Sequence, residues 1–179
     1  MRSPTVRQAT VHDAAACAAI YAYHVLHTVA SFETKPPGAA EMADRISDAL
    51  ATHAWLVLVD EGAVVGYAYA GDHRARAGYQ WTCEVSVYLQ EGRRRSGGGR
   101  ALYDVLLPAL AVRGFRTALA GMTLPNEASE GLHRAFGFEP VGVYRNVGFK
   151  DGRWHDTQWL QKDLASLGGI DVAHPAVPA

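Results

Sequence analysis

The chain has 179 residues, of which 49% are hydrophobic and 20% are charged, and its formal net charge is −1. This length and composition are typical of one soluble globular domain, and the near-zero charge gives no reason to expect nucleic acid or a membrane surface as a partner. The 2 cysteines lie far apart and the histidines show no ligand spacing, so we expect no metal site. The N-terminal residues lack the apolar segment of a secretory signal, which predicts a cytoplasmic protein with reduced thiols.

Periodicity and turn residues divide the chain into predicted elements. The predicted strands cover residues 5–9, 55–60, 63–71, 80–89 and 116–125, followed by two strands within residues 138–164 around the turn Lys150-Asp151-Gly152. The predicted helices cover residues 14–25, 39–51, 99–113 and 127–136. One parallel β–α–β unit over residues 80–124 stands among antiparallel signals, which predicts an α+β domain with a mixed sheet over residues 1–165. Residues 166–179 are small and rich in proline and glycine, which predicts a mobile tail.

The most informative stretch is the strand over residues 80–89 and the glycine tract that follows it. Along the strand, polar and apolar residues alternate, so Glu84 is expected on the opposite face from Cys83. The tract places three glycines among four arginines: Gly97, Gly98 and Gly99 with Arg93, Arg94, Arg95 and Arg100. Free N–H groups at the start of the next helix, together with the arginines, favour a bound anion, most often a phosphate. The alternative is a flexible, solvated loop.

Several motifs resemble those of a known enzyme family. Arg94-x-x-Gly97-x-Gly99, after an alternating strand, resembles the acetyl-CoA-binding motif of GNAT acetyltransferases. Four further segments, residues 20–37, 69–89, 124–142 and 148–164, are similar to the phosphinothricin and methionine sulfoximine acetyltransferase branch of that family. The resemblance implies the GNAT acyl-CoA N-acyltransferase fold, a mostly antiparallel twisted sheet flanked by helices. It also implies acetyl-CoA as co-substrate.

The resemblance implies a set of cofactor-binding residues on the strand, the glycine tract and the start of a later helix. They are Val87, Tyr88, Leu89, Arg94, Arg95, Ser96, Gly97, Gly98, Gly99, Arg100, Asn126 and Ser129. Gly98 stands where the family often has a larger residue, and we expect it to loosen the loop without removing donors. Asn126 also suits a plain helix N-cap, and both roles are compatible.

Acetyl transfer from a thioester to an amine needs a base for the amine proton and donors for the oxyanion. Glu84 is the implied base, and its alternative reading is a solvated glutamate paired with an arginine. The second catalytic candidate is His133, an acid toward the leaving thiolate, and its alternative is a core histidine bonded to a backbone carbonyl. Tyr103 and Tyr88 are further candidates for the acid. The expected oxyanion donor is a backbone N–H near Val87 or Tyr88, where the strands are expected to splay.

A carboxylate-bearing acceptor requires cations, and Arg74 and Arg76 precede the Glu84 strand. The resemblance adds Phe32, Glu33, Tyr79 and Thr157 as residues that line the acceptor pocket. A solvated loop is the alternative for the two arginines, and core packing is the alternative for Phe32.

We therefore predict direct transfer of an acetyl group to the α-amine of phosphinothricin, methionine sulfoximine or methionine sulfone in a ternary complex. Two other hypotheses stay open: a GNAT enzyme for a protein N-terminus, polyamine or aminoglycoside, and a non-catalytic CoA-binding module. The branch implies a homodimer, for which Trp154 and Trp159 are candidate exposed contacts. No cysteine is placed for an acyl-enzyme.

Overall fold

The structure is a computed structural model that describes residues 4–93 and 95–168. Its strands are β1 (Thr5–Gln8), β2 (Trp55–Asp60), β3 (Ala63–Asp72), β4 (Thr82–Leu89), β5 (Thr117–Thr123), β6 (Glu139–Lys150) and β7 (Arg153–Asp163). Its helices are α1 (Ala14–His27), α2 (Ala39–Thr52), α3 (Gly98–Val112), α4 (Glu127–Ala135) and the single turn α5 (Ala165–Gly168). Short 3-10 turns cover Val11–Asp13 and Ala77–Tyr79.

All seven strands join one sheet in the order β1-β2-β3-β4-β5-β7-β6. Every neighbouring pair is antiparallel except β4 and β5, which are the strands of the predicted β–α–β unit. The predicted α+β class and mixed sheet are therefore confirmed. The parallel ladder is short, because it pairs residues 82–84 with residues 117–119 and then ends.

The sheet buries both of its faces in its central part. On one face, the apolar stripe of α3, which includes Leu102, Leu106 and Leu110, packs against the sheet in a cluster that contains Cys83 and Val85. On the other face, α1 and α2 pack against Trp55, Val57 and Tyr67. Strand β2 contributes to both clusters, as its continuous apolar run predicts. The predicted split of β4 into an apolar face and a face that carries Glu84 is also confirmed.

Local chemistry explains several element boundaries. Asp13 completes a capping box with Thr10 and accepts two hydrogen bonds from Arg7, whose guanidinium lowers the pKa of that carboxyl to about 2. The β2–β3 turn takes positive φ at Glu61 (49°) and Gly62 (85°), the conformation that a two-residue hairpin requires.

Most predicted elements lie within two residues of the observed bounds. Strand β4 begins at Thr82 rather than at residue 80, because a 3-10 turn ends just before it and Gln80 bonds back to Ala77 at 3.2 Å. The turn α5 extends the described structure to residue 168, beyond the predicted domain end at 165. The rest of the predicted tail lies outside the described residues. Within the described ranges, no helix combines the length and apolarity needed to cross a membrane.

Lys150 ties the β6–β7 hairpin to the loop between α1 and α2. Its side chain is buried, and Nζ donates hydrogen bonds to the carbonyl oxygens of Val25 (2.7 Å), Thr28 (2.9 Å) and Ser31 (2.6 Å). Next to this contact, the ring of Phe32 packs flat on Gly148, where any side chain would collide with it. The hairpin therefore fixes the loop that carries two of the predicted acceptor residues.

Candidate active site

A cavity of about 630 Å³ opens where β4 and β5 diverge. It is bounded by the end of α1, the second half of β4, the glycine tract, the later part of β5 and one side of α4. Beyond Glu84, within the described residues, β4 is paired with β3 on one side only. Backbone N–H and C=O groups on the other edge of β4 therefore face the cavity, at the place where the strands were expected to diverge.

Most of the predicted cofactor residues line this cavity. Those that do are Val87, Tyr88, Leu89, Arg95, Gly97, Gly98, Gly99, Arg100, Asn126 and Ser129. Ser96 does not line it. Its hydroxyl donates to the Arg93 carbonyl at 2.8 Å and faces the Gly98 N–H at 3.4 Å, so it shapes the tract from outside. Arg94 lies outside the described residues.

The glycines bring the first turn of α3 into close contact with the sheet. Gly97 has φ +81°, a left-handed conformation that favours glycine. A Cβ at Gly98 would stand 2.8 Å from a methyl group of Leu58, and one at Gly99 would stand 3.0 Å from a methyl group of Leu132. The expectation that Gly98 loosens the loop is wrong, because Gly98 is a buried helical residue that permits this approach.

The arginines of the tract divide into two groups. Arg93 forms an ion pair with Asp60 at the end of β2, so its charge is already compensated within the protein. Arg95 and Arg100 are exposed and line the cavity, and Arg100 also has the exposed Asp104 carboxylate 4.0 Å from its Nε. Together with the N-terminal end of α3, they form a positive rim that is suited to phosphate groups.

Asn126 caps α4 and lines the cavity at the same time. Its side-chain oxygen accepts a hydrogen bond from the Ser129 N–H at 3.2 Å, so the predicted N-cap role is confirmed. The same cap fixes the orientation of the first turn of α4, where Ser129 also lines the cavity.

His133 is buried between two hydrogen-bond partners. Its Nδ1 lies 2.7 Å from the Ser129 carbonyl oxygen, which only accepts, so Nδ1 carries the proton. Nε2 then accepts from the Tyr103 hydroxyl at 2.9 Å. Burial lowers the pKa of His133 and raises that of Tyr103, so both groups are neutral at neutral pH. This geometry matches the alternative of a core histidine bonded to a backbone carbonyl, while the ring also forms part of the cavity wall.

Glu84 lies at the last residue of the parallel ladder, next to the cavity-lining Val85. Its side chain is 38% exposed, and Oε1 lies 2.7 Å from Nδ1 of His73. The alternative reading from sequence pairs Glu84 with an arginine, but its hydrogen-bond partner in the structure is His73. Sequence reasoning missed this histidine, because only the β3–β4 pairing brings it close to Glu84.

The six predicted acceptor residues lie outside the splayed cavity. Glu33 is held in an internal network, since it accepts from Arg45 (2.8 Å) and from Tyr21 (2.9 Å). The hydrogen bond from Arg45 is the main cause that lowers the pKa of Glu33. Phe32 is held against Gly148, as described above, and is 37% exposed.

The remaining acceptor candidates flank the Glu84 face. Arg74 and Arg76 are exposed, and the Arg74 guanidinium lies 5.3 Å from the ring centroid of Tyr79. Thr157, on the same sheet face as Glu84, has a buried hydroxyl with no hydrogen-bond partner among the described residues. The indole N–H of Trp159, two residues along, is in the same condition. The Trp159 ring packs on Gly121 and is only partly exposed, so the expectation of an exposed Trp159 is wrong.

His24 also lines the cavity, from α1, although the sequence patterns assign it no role there. Its Nε2 lies 2.9 Å from the Leu89 carbonyl oxygen. Its ring also contacts that of Tyr88, at 5.2 Å between centroids. The only signal in the sequence is its place on the same helix side as Ile20.

In the described part of the chain, no group of three or more His, Cys, Asp or Glu side chains is arranged to hold a metal ion.

Comparison with known proteins agrees with this geometry. Residues 6–159 match the family model described as the acetyltransferase (GNAT) domain. The chain is 37% identical to the phosphinothricin N-acetyltransferase of Streptomyces viridochromogenes, with 91% of this chain and 89% of that protein covered. It is 36% identical to the L-methionine sulfoximine/L-methionine sulfone acetyltransferase of Pseudomonas paraeruginosa, with 90% and 95% covered.

A solved structure shows the same fold. The phosphinothricin acetyltransferase of Sinorhizobium meliloti, in complex with acetyl-CoA, matches with a TM-score of 0.90 and 38% identity over 98% of this chain and 94% of that one. The family, its branch and the co-substrate that the sequence motifs imply are thereby confirmed. The chain belongs to the GNAT acetyltransferases and is an acetyl-CoA-dependent N-acetyltransferase.

Proposed function

We propose that this enzyme acetylates the α-amine of a small amino-acid-like acceptor, namely phosphinothricin, methionine sulfoximine or methionine sulfone. Two relatives, each at least 36% identical to this chain, are named as acetyltransferases of these acceptors. The observation that carries the mechanism is the position of Glu84. It lies where the β4–β5 ladder ends and next to the cavity-lining Val85. Its partner His73 packs on Tyr79, and the Arg74 guanidinium lies over the same Tyr79 ring.

Transfer is direct, within a ternary complex of enzyme, acetyl-CoA and acceptor. The neutral amine attacks the thioester carbonyl, and a backbone N–H on the open edge of β4, near Val87 or Tyr88, donates to the oxyanion. Glu84 takes the proton that the attacking nitrogen loses. The attack forms the C–N bond, and collapse of the intermediate restores the C=O bond and breaks the C–S bond, which leaves the thiolate of CoA.

His133 is the proposed acid toward that thiolate. Its ring is buried and neutral, so it must take up a second proton before it can donate one. For this reason we expect His133 to contribute less to the rate than Glu84. In this mechanism the cofactor phosphates bind the positive rim formed by the glycine tract, Arg95 and Arg100, and Arg94 is the further proposed contact.

The acceptor is proposed to bind on the sheet face that carries Glu84. Arg74 and Arg76 supply the positive charge for its carboxylate, and Phe32, Glu33 and Tyr79 border the same region. The unpaired hydroxyl of Thr157 supports a role in this site, because a buried donor without a partner costs about 1–3 kcal/mol unless a ligand satisfies it.

The proposal includes a cytoplasmic homodimer. Support for the dimer comes from apolar side chains left exposed on the β6–β7 hairpin: Val141 (59%), Tyr144 (55%), Val147 (53%), Phe149 (57%) and Trp154 (60%). Support for a reducing compartment comes from Cys17 and Cys83, which are buried free thiols. Sedimentation of the wild type and of Trp154→Glu tests the dimer, which we expect the substitution to weaken. A monomeric wild type would refute it.

In the deciding experiment, a panel of amines is incubated with acetyl-CoA, and turnover is measured as the release of the free CoA thiol. The panel contains the three proposed acceptors, a polyamine, an aminoglycoside and a peptide with a free N-terminus. We expect turnover with the first three and a higher acceptor KM after Arg74→Ala. Turnover restricted to the cationic or extended amines would refute the proposed acceptor class, and acetyl-CoA binding without turnover would indicate a non-catalytic module.

Glu84→Gln tests the base. We expect kcat to fall by roughly two to four decades, the range for loss of a general base. The matched control is Glu61→Gln, because Glu61 is an exposed residue in the β2–β3 turn. A Glu84→Gln enzyme with wild-type kcat would show that another group, or water alone, takes the proton.

A further inference from the structure

We propose that His73 is the positioning residue of Glu84. In this arrangement the Nδ1–H of His73 donates to Oε1 of Glu84 and holds the carboxylate so that Oε2 is presented to the acceptor amine. The inference rests on the proposed role of Glu84 as the base, and it adds a second residue to that role.

The contact between the two side chains is direct and follows from the sheet register. Nδ1 of His73 lies 2.7 Å from Oε1 of Glu84, within the range of a charge-assisted hydrogen bond. The residue directly opposite Glu84 on β3 is Gly71, and a Cβ built there meets nothing within 4 Å. Because Gly71 has no side chain, the Glu84 carboxylate has open space beside it. His73 follows two residues later and reaches diagonally across that space.

The chemistry of the two groups fixes the direction of the hydrogen bond. An ionised carboxylate has no proton to donate, so Nδ1 of His73 must carry the hydrogen. One oxygen of Glu84 is thereby engaged, and the other remains free to accept a proton. When the attacking amine loses its proton, the N–H bond breaks and an O–H bond forms at Oε2. His73 keeps its own proton throughout, and its effect is to hold the acceptor oxygen in place.

Aromatic side chains hold the His73 ring. It meets the Tyr79 ring edge-on at 5.7 Å and the Trp159 ring at 6.2 Å, and its side chain is only 16% exposed. A cation lies close to this cluster, since the Arg74 guanidinium stands 5.3 Å from the centroid of the Tyr79 ring. The neighbouring Asp72 carboxylate lies 3.5 Å from His53 Nε2. Among the described residues, Glu84 is therefore the carboxylate that His73 contacts.

Two substitutions separate the hydrogen bond from the packing. His73→Phe keeps a ring against Tyr79 and Trp159 but removes the donor, whereas His73→Asn places an amide N–H near the position of Nδ1. We expect His73→Phe to lower kcat about ten- to a hundredfold, the range for a hydrogen bond to a charged group, with an unchanged KM for acetyl-CoA. We expect His73→Asn to restore most of the loss. If the Phe variant folds poorly, as judged by circular dichroism, His73→Leu replaces it in the comparison.

A double-mutant cycle identifies the residue through which His73 acts. In the Glu84→Gln background, His73→Phe should cause little further loss of kcat, because the carboxylate that it positions is already absent. The inference would be overturned if His73→Phe caused the same loss of kcat in the Glu84→Gln background as in the wild type. It would also be overturned if His73→Phe had wild-type kcat while Glu84→Gln was impaired. Either result would leave the proposed base intact. Full activity of Glu84→Gln would instead overturn the base assignment itself. His12→Phe, at an exposed histidine on the first 3-10 turn, is the control and should have wild-type kcat.

Discussion

Replacement of Lys150 by methionine should both destabilise the fold and damage the acceptor site. Methionine has a similar length but no donor, so three carbonyl oxygens lose their partner. The bonds to Val25 and Ser31 are buried, and a buried acceptor without a partner costs about 1–3 kcal/mol, or about 2–6 kcal/mol for both. The substitution also removes the free-energy cost of burying the Lys150 ammonium group, and this gain offsets part of the loss. We therefore expect a net loss of about 2–4 kcal/mol.

Urea unfolding, monitored by circular dichroism, measures the loss in the free energy of unfolding. Steady-state kinetics with varied acceptor concentration measures the damage to the acceptor site. We expect the acceptor KM to rise, because the loop that carries Phe32 and Glu33 loses its attachment to the hairpin. Lys35→Met is the matched control, since Lys35 is exposed in the same loop. A loss below about 1 kcal/mol, with an unchanged acceptor KM, would mean that water satisfies the three carbonyls and that the hairpin does not hold the loop.

Three further predictions follow from the same structure. Cys83→Ala should keep kcat within about twofold, because Cys83 faces away from Glu84 and burial raises the pKa of its thiol to about 12; a large fall in kcat would point to an acyl-enzyme. Gly97→Ala should cost about 1–2 kcal/mol in urea unfolding, because alanine is strained at φ +81°, and should raise the KM for acetyl-CoA. An unchanged midpoint would show that the tract relaxes without cost. Burial lowers the pKa of His133 and His53 from their ordinary value of 6.5, so the unfolded chain binds protons first as the pH falls. The free energy of unfolding should therefore decline below about pH 6.5, and His133→Phe should weaken that pH dependence.

The sequence predicted the fold well because the strongest signals are local. The uninterrupted apolar run of β2 and the alternation along β4 reflect burial that each strand carries in its own residues. The start of β4 was misplaced by two residues, since the 3-10 turn at Ala77–Tyr79 depends on backbone bonds that no periodicity records.

The candidate site was predictable only where one segment contains it. The glycine tract and the Asn126 cap each lie within one short segment of the chain, so the sequence motif and the structure agree at both places. Arg93 looks equivalent to its neighbours in the sequence, yet its ion pair with Asp60 joins residues that are 33 positions apart. The contact between His73 and Glu84 likewise depends on the register of β3 against β4, which becomes visible only when the strands are paired.

The early end of the β4–β5 ladder has a consequence for stability as well as for binding. Among the described residues, β4 has no paired strand on its β5 side beyond Glu84, so the backbone amides of that edge lack the strand pairing that slows hydrogen exchange elsewhere in the sheet. A ligand whose amides lie along this edge supplies the missing partner, so its binding free energy is added to the free energy of unfolding. At a hundredfold excess over its Kd, such a ligand contributes about 2.7 kcal/mol. We therefore expect bound acetyl-CoA to pair with the edge of β4 as an additional strand would. Slower amide hydrogen exchange in β4 and β5 on addition of acetyl-CoA would show this pairing.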